Sequence, residues 1–163
     1  MPHQAEIIAV GTELLLGNIA NTNAQFLSQL LASAGGNVLY HTAVGDNPQR
    51  LRAAVETARS RCDLLVFTGG LGPTYDDMTK ETVAGVFGLA LEYHPEVMEE
   101  IQQYFDRVFH RPMPACNRQQ AMLPQGCTVL HNPVGTAPGC IFTAGGVTAV
   151  LLPGVPHECR YLA

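Results

Sequence analysis

Leu64-Leu65-Val66-Phe67-Thr68-Gly69-Gly70-Leu71-Gly72-Pro73-Thr74-Tyr75-Asp76-Asp77-Met78-Thr79-Lys80-Glu81 runs from an apolar stretch through a glycine-rich turn into a helix start. The first five residues read as a strand covered on both faces, because nearly every position is apolar or β-branched. A helix is expected from about Thr79 to Phe87. Open α/β sheets place ligands where such a strand ends, and glycines there let backbone N–H groups approach a phosphate.

Working outward, the same alternation repeats. Ala5 to Val10 and Val38 to Val44 read as two further strands. Asn21 can cap a helix to about Ala34, with Leu27, Leu30 and Leu31 on one face and Gly35-Gly36 as its stop. Asn47-Pro48 opens another, with Leu51, Ala54, Val55 and Ala58 as its buried stripe. The order β-α-β-α-β-α with short links implies a parallel sheet between helices. Pro95 to about Phe109 suits a helix, its glutamates forming a solvated face. Thr128 to Leu130, Cys140 to Thr143 and Thr148 to Leu152 read as short strands, the last two joined as a hairpin through Ala144-Gly145-Gly146-Val147. The expected fold is a three-layer αβα sandwich, its sheet mostly parallel with an antiparallel edge. Residues 1–163 are expected to form one domain. Pro153-Gly154-Val155-Pro156 opens a final helix of a turn or two that reads as cut short.

Composition narrows the function. The chain is 47% hydrophobic and 14% charged, which excludes intrinsic disorder. Formal net charge is −5, with eight arginines and a single lysine, Lys80, so no basic stripe is available for nucleic acid. The longest apolar runs, such as Ala84 to Leu91, are too short for a membrane span. Five cysteines without a CxxC pair fit a reduced, cytoplasmic protein better than a disulfide or metal framework.

The turn at 69–81 is neither a dinucleotide fingerprint, since Tyr75 stands at the third glycine position, nor a Walker motif. Two adjacent carboxylates, Asp76 and Asp77, stand in place of a phosphate-binding lysine. A negative ligand there needs a divalent cation between it and the aspartates, so the loop reads as metal-assisted phosphate or diphosphate binding. The plainer alternative is that one aspartate caps the following helix. Three more loops are expected at the same sheet edge: Gly11-Thr12-Glu13, Gly45-Asp46, and Asn132-Pro133-Val134-Gly135-Thr136-Ala137-Pro138-Gly139. Asp46 has no clear structural task, because Asn47 is the better cap. His157 and Glu158, at a helix start, read as capping or surface residues before ligands.

GTELLLG (11–17), NTN (21–23), GD (45–46), TGGLGPTYDDMTKE (68–81), NPVGTAPG (132–139) and LPGVPHE (152–158) together resemble the N-terminal domain of the CinA family, competence/damage-inducible proteins within the molybdopterin-binding superfamily of MoaB and MogA. The resemblance covers essentially the whole chain. It implies divalent-metal-dependent (Mg, Mn or Co) hydrolysis of ADP-ribose to AMP and ribose 5-phosphate. Carried over by position, it implies Gly69, Gly70, Gly72 and Thr74 as the phosphate or pterin loop, with Thr79 beside it. Asp76, Asp77 and Asp46 would be the catalytic carboxylates, the first two holding the metal. Gly135, Thr136, Gly139, Pro153 and Gly154 would complete the ligand site, and Gly11, Glu13 and Asn132 join it from the reading of the loops themselves. Binding of a pterin or nucleotide without turnover, or a step of molybdenum-cofactor synthesis, is the alternative the superfamily allows. The expected partner is a nucleotide-diphosphate or pterin small molecule, in a homo-oligomer that touches neither nucleic acid nor membrane. Members of the family often continue into a C-terminal amidase domain absent from this chain, and that activity is not carried over.

Overall fold

Every residue from 1 to 163 is described by the computed structural model. Its six-stranded sheet is built from β1 (Gln4–Val10), β2 (Asn37–Val44), β3 (Leu64–Thr68), β6 (Thr128–Leu130), β7 (Gly139–Ala144) and β8 (Val147–Leu152), in the order β2-β1-β3-β8-β7-β6. The pairs β1–β2, β1–β3 and β3–β8 are parallel, whereas β7–β8 and β6–β7 are antiparallel. The mostly parallel sheet with an antiparallel edge is therefore the observed architecture.

The period of two along each strand sorts the core into two layers. Ile7, Val66 and Leu152 point to one face, where they meet Ala24 and Leu27 of α2 (Thr22–Ser33) and Cys159 of α6 (Pro156–Leu162). Ile8, Leu65, Phe67 and Leu151 point to the other. There they join Leu51 and Val55 of α3 (Pro48–Arg59), Val83 of α4 (Thr79–Val86), and Val97 and Ile101 of α5 (Pro95–Tyr104). Fully burying such a side chain stabilises by about 1.5–3 kcal/mol, so this patterned set dominates the fold. The caps lie where the sequence places them: the Asn21 side chain accepts from Ala24 N at 3.2 Å, and that of Asn47 from Arg50 N at 2.9 Å.

Four features depart from the expected elements. A short helix, α1 (Thr12–Leu15), follows β1 directly. The helix expected to reach Phe109 ends as α-helix at Tyr104 and continues as a π-helical turn over Phe105–Phe109. A two-stranded antiparallel ribbon, β4 (Leu91–Tyr93) with β5 (Met122–Pro124), lies outside the main sheet, and a 3-10 helix over Ala115–Ala121 leads into it. Finally, Glu6 sits inside the core at 1% exposure. Its carboxylate is satisfied by Thr42 Oγ1 at 2.6 Å and by the Arg61 guanidinium at 2.9 and 3.0 Å, as a buried charge requires.

Candidate functional site

Parallel strands end on one edge, so their C-terminal loops gather there. The loops after β1, β2, β3 and β8, with Thr136 and Ala137 from the β6–β7 connection, surround a cavity of about 540 Å³. Backbone meets backbone at its floor. Gly69 has φ 102°, and a Cβ there would collide with the Val10 carbonyl. Gly70 has φ 71°, and a Cβ there would collide with Thr79. Only glycine fits both the dihedral and the space.

A brace of neutral groups holds the strand ends together. Asn23 Nδ2 donates to Thr68 Oγ1 and to the Gly154 carbonyl, both at 2.9 Å, and Thr68 Oγ1 donates to the Pro153 carbonyl at 3.0 Å. On the far side, Thr12 N and Oγ1 donate to Asp46 Oδ2 at 3.2 and 3.1 Å. Asp46 thus has a structural task that the sequence reading missed: it ties the loop after β2 to that after β1.

Asp77 Oδ2 accepts from Thr74 N at 3.0 Å and from Thr74 Oγ1, closing the acidic turn on itself. Neither aspartate caps α4, whose start at Met78 has no side-chain cap bond. The capping alternative is therefore excluded. Asp76 is exposed and makes no hydrogen bond through its side chain.

Five carboxylates line the cavity (Glu13, Asp46, Asp76, Asp77 and Glu158), with no lysine, arginine or histidine among the lining residues. Gly70, Leu71 and Gly72 also line the cavity, and none of their N–H groups is hydrogen-bonded within the chain. Three consecutive free donors at a strand end form an anion-binding concavity. The site therefore couples a row of unpartnered backbone donors to an acidic rim.

The structure brings together Gly11, Glu13, Asp46, Gly69, Gly70, Gly72, Thr74, Asp76, Asp77, Thr136, Pro153 and Gly154. Four expected ligand residues lie outside the lining. Thr79 is fully buried beneath Gly70, with its hydroxyl unpartnered. Asn132 stands behind the wall, where its Nδ2 donates to Glu158 Oε1 and the Ala137 carbonyl, both at 2.8 Å. Gly135 is packed under the Glu158 carboxylate, so it serves by having no side chain. Gly139 opens β7 and packs against Leu130 and the Leu151 carbonyl. Their placement has one physical reason: a turn-rich string shows that a loop is tight, not which residues face this cavity, and Gly135 lines a neighbouring one instead.

Three polar residues escaped sequence reading: Glu158 and Gln120 line the cavity, and Gln119 holds its rim. Glu158 reads as a surface residue, yet it is 7% exposed and lines the cavity, and burial pushes its carboxyl pKa upward. Gln119 does not reach the cavity but holds its rim: Nε2 donates to the carbonyls of Gly72, Thr74 and Asp77 at 3.2, 3.1 and 3.0 Å. The Gln119 carbonyl in turn accepts from Lys80 Nζ at 2.8 Å. Beside it, the buried Gln120 donates to the Leu71 carbonyl at 3.3 Å. Burial lowers the Lys80 pKa to about 8, partly offset by the nearby Cys140 and Cys127 thiols and Asp77. Two adjacent glutamines ending a turn were the only signal available, and it is weak.

The family model described as "Probable molybdopterin binding domain" matches residues 6–162. The chain belongs to this molybdopterin-binding domain family, on its CinA side. Competence-damage inducible proteins of Geobacillus kaustophilus and Bacillus subtilis are 57% and 52% identical to it, over 96% and 98% of the chain. Those matches cover 37% and 38% of the relatives, so the chain spans a little over a third of their length. A CinA protein of unknown function from Thermoplasma acidophilum superposes with a TM-score of 0.89 at 37% identity, covering 99% of this chain and 94% of that one. The molybdopterin biosynthesis enzyme MoaB from Thermus thermophilus shares the fold at a TM-score of 0.62 and 20% identity, covering 97% and 85%. The CinA-type, MoaB-like domain thus matches over nearly its whole length. No helix is long and apolar enough to cross a membrane.

Proposed function

We propose that the cavity binds the phosphate end of a pterin- or nucleotide-type small molecule, the phosphate resting on the N–H groups of Gly70, Leu71 and Gly72. The observation that carries this reading is that row of three unpartnered donors on residues that line the cavity of a molybdopterin-binding domain. Membership of that family supports a pterin as the ligand class. The donors supply direction, and the brace through Thr68, Asn23, Pro153 and Gly154 keeps them in place before the ligand arrives.

A divalent cation fits the donor set in one way only. No three His, Cys, Asp or Glu side chains converge closely enough to hold a metal by themselves. One or two carboxylates together with ligand phosphates are the usual set for Mg²⁺, and Asp76, with Asp77 beside it, presents oxygens for that. A cation bound there would screen the rim from the phosphate and polarise it.

The acidic rim favours a second reading, hydrolysis of a nucleotide diphosphate such as ADP-ribose to AMP and ribose 5-phosphate. Asp46 and Asp77 commit oxygens to the loops, whereas the Asp76 side chain makes no hydrogen bond and Glu158 is buried, which leaves these two carboxylates for chemistry. A hydrolase can use one to orient water and another to hold a proton, and the buried Glu158 is suited to the second task. The two readings part in one experiment. ADP-ribose is incubated with the protein and Mg²⁺, Mn²⁺ or Co²⁺, with binding followed by calorimetry and AMP by chromatography. Saturable binding without AMP supports the binding site alone, and AMP release supports the hydrolase. Absence of binding by ADP-ribose and by molybdopterin alike sinks both. If turnover is seen, Asp76→Asn should lower it about 10²-fold with an unchanged melting temperature, because its side chain supports no contact in the fold.

A further inference from the structure

A second cavity of about 440 Å³ adjoins the first and shares Pro73, Thr136, Val155 and Glu158 with it. Its chemistry is the opposite. Where the first is glycine and carboxylate, the second is walled by Tyr104, Phe105 and Phe109, with Arg111 and His157 at its margin. The Phe109 ring packs edge-on to Tyr104 at 5.4 Å and tilted against Phe105 at 4.9 Å, yet 45% of Phe109 stays exposed. The Arg111 guanidinium lies 5.3 Å from the Phe109 ring centre. His157 Nε2 stands 3.1 Å from the Val134 carbonyl.

The backbone beneath these rings is irregular. Phe105–Phe109 is the π-helical turn, and His110 directly after it is the one non-glycine residue with positive φ, at 52°. Residues four apart share a face in any α-helix, so the Phe105–Phe109 contact needs no irregularity; the five-residue Tyr104–Phe109 contact is the one the wider π-turn brings together. Insertions of this kind and left-handed residues other than glycine persist where the surroundings enforce them, frequently at binding sites.

We propose that this aromatic cavity is the ring subsite of the same ligand: a flat nitrogen heterocycle, purine or pterin, stacks on Phe109 while its phosphate end crosses the Glu158 divide to the glycine loop. The inference rests on the phosphate reading above for the far half of the ligand. An exposed phenylalanine offers a π-face to any flat heterocycle, and an arginine at its margin adds a second planar group to stack on. The acidic cavity lacks both an aromatic ring and a cation among its lining residues, so it offers a heterocycle no such platform.

The test uses phosphate-free ring probes, adenosine and neopterin, and inorganic phosphate with Mg²⁺ as the opposite probe. Each is titrated into the isotopically labelled chain and followed by amide chemical shifts. The ring probes should move Tyr104 to Arg111 and Val155 to Glu158 with roughly millimolar affinity, the range expected of a fragment. Phe109→Ala should weaken them by about tenfold and leave the phosphate titration unchanged. Phe109 is half exposed, so its loss should spare the fold, and Arg111→Ser gives a second variant that reads the same stacking. The tighter of the two ring probes names the heterocycle. Ring probes that move only Gly69 to Asp77, or nothing at roughly 10 mM, overturn the ring subsite. Ring shifts at Phe109 without phosphate shifts at Gly70 to Gly72 overturn the phosphate reading instead.

Discussion

The glycine loop at 69–77 and the segment from Phe105 to Gln120 border adjoining cavities, but they are built on opposite principles. The loop acts through its backbone: Gly70, Leu71 and Gly72 present N–H groups, and the glycines matter for the side chains they lack. The segment acts through side chains reaching from a distance, Gln119 onto the loop's carbonyls and Phe109 into the second cavity. A backbone device is written in a contiguous string. A side-chain device is assembled by packing, and its residues look ordinary in sequence.

Substitutions can break or sharpen that contrast, starting with the largest expected effect. Gly69→Ala forces a side chain into the Val10 carbonyl at a left-handed φ, and should cost on the order of 3 kcal/mol or more in urea unfolding. A cost below about 1 kcal/mol would show that the backbone device tolerates a side chain, and the contrast would fail.

Lys80 is the next test, and its sign follows from linkage. Its folded pKa of about 8 lies below the usual 10.5, so between these values the unfolded chain holds a proton that the folded chain lacks. Stability should therefore rise with pH across that window, by roughly 3 kcal/mol if Lys80 acts alone. Lys80→Met should flatten this rise. Equal slopes in both proteins between pH 8 and 10.5 would refute the assignment.

Gln119→Met keeps the shape of the side chain and removes the one amide nitrogen that contacts three carbonyls of the loop. The expected loss is about 1–2 kcal/mol, with faster amide exchange confined to Leu71 through Met78. Uniform loosening of the whole chain would make Gln119 an ordinary packing residue. The smallest effect is expected at Glu158. Its carboxyl pKa is raised by burial, so its stabilising contribution is present at acid pH and lost as the pH rises through the folded value. Glu158→Gln should therefore raise the melting temperature at neutral pH, and the gap should close in acid. A gap independent of pH would contradict that origin.

The same contrast explains what was legible beforehand. The parallel core could be read from the sequence because Ala5 to Val10 and Leu64 to Thr68 are continuous apolar runs, and Asn21 and Asn47 carry cap chemistry in their own side chains. The β4–β5 ribbon could not, since Met122–Pro124 ends in a proline and pairs with a segment on the far side of α5. Nor could the burial of Glu6, whose partners Thr42 and Arg61 lie 36 and 55 residues away. Within the site, glycines and aspartates on one loop were legible, whereas the inward turn of Glu158 depended on Asn132, 26 residues distant. Thr79 shows the reverse error: it belongs to the legible string, but its helix turns it inward beneath Gly70.

The Asn23–Thr68–Pro153–Gly154 brace has a consequence for how the site responds to its surroundings. An amide, a hydroxyl and two carbonyls make it up, and none of them gains or loses a proton in the physiological range. Acidification can change the charge of the carboxylates that hang over the cavity without loosening the joint between α2, β3 and β8. Occupancy by a charged ligand can then vary with pH while the spacing of the strand ends stays constant, so chemistry and scaffold respond to separate controls.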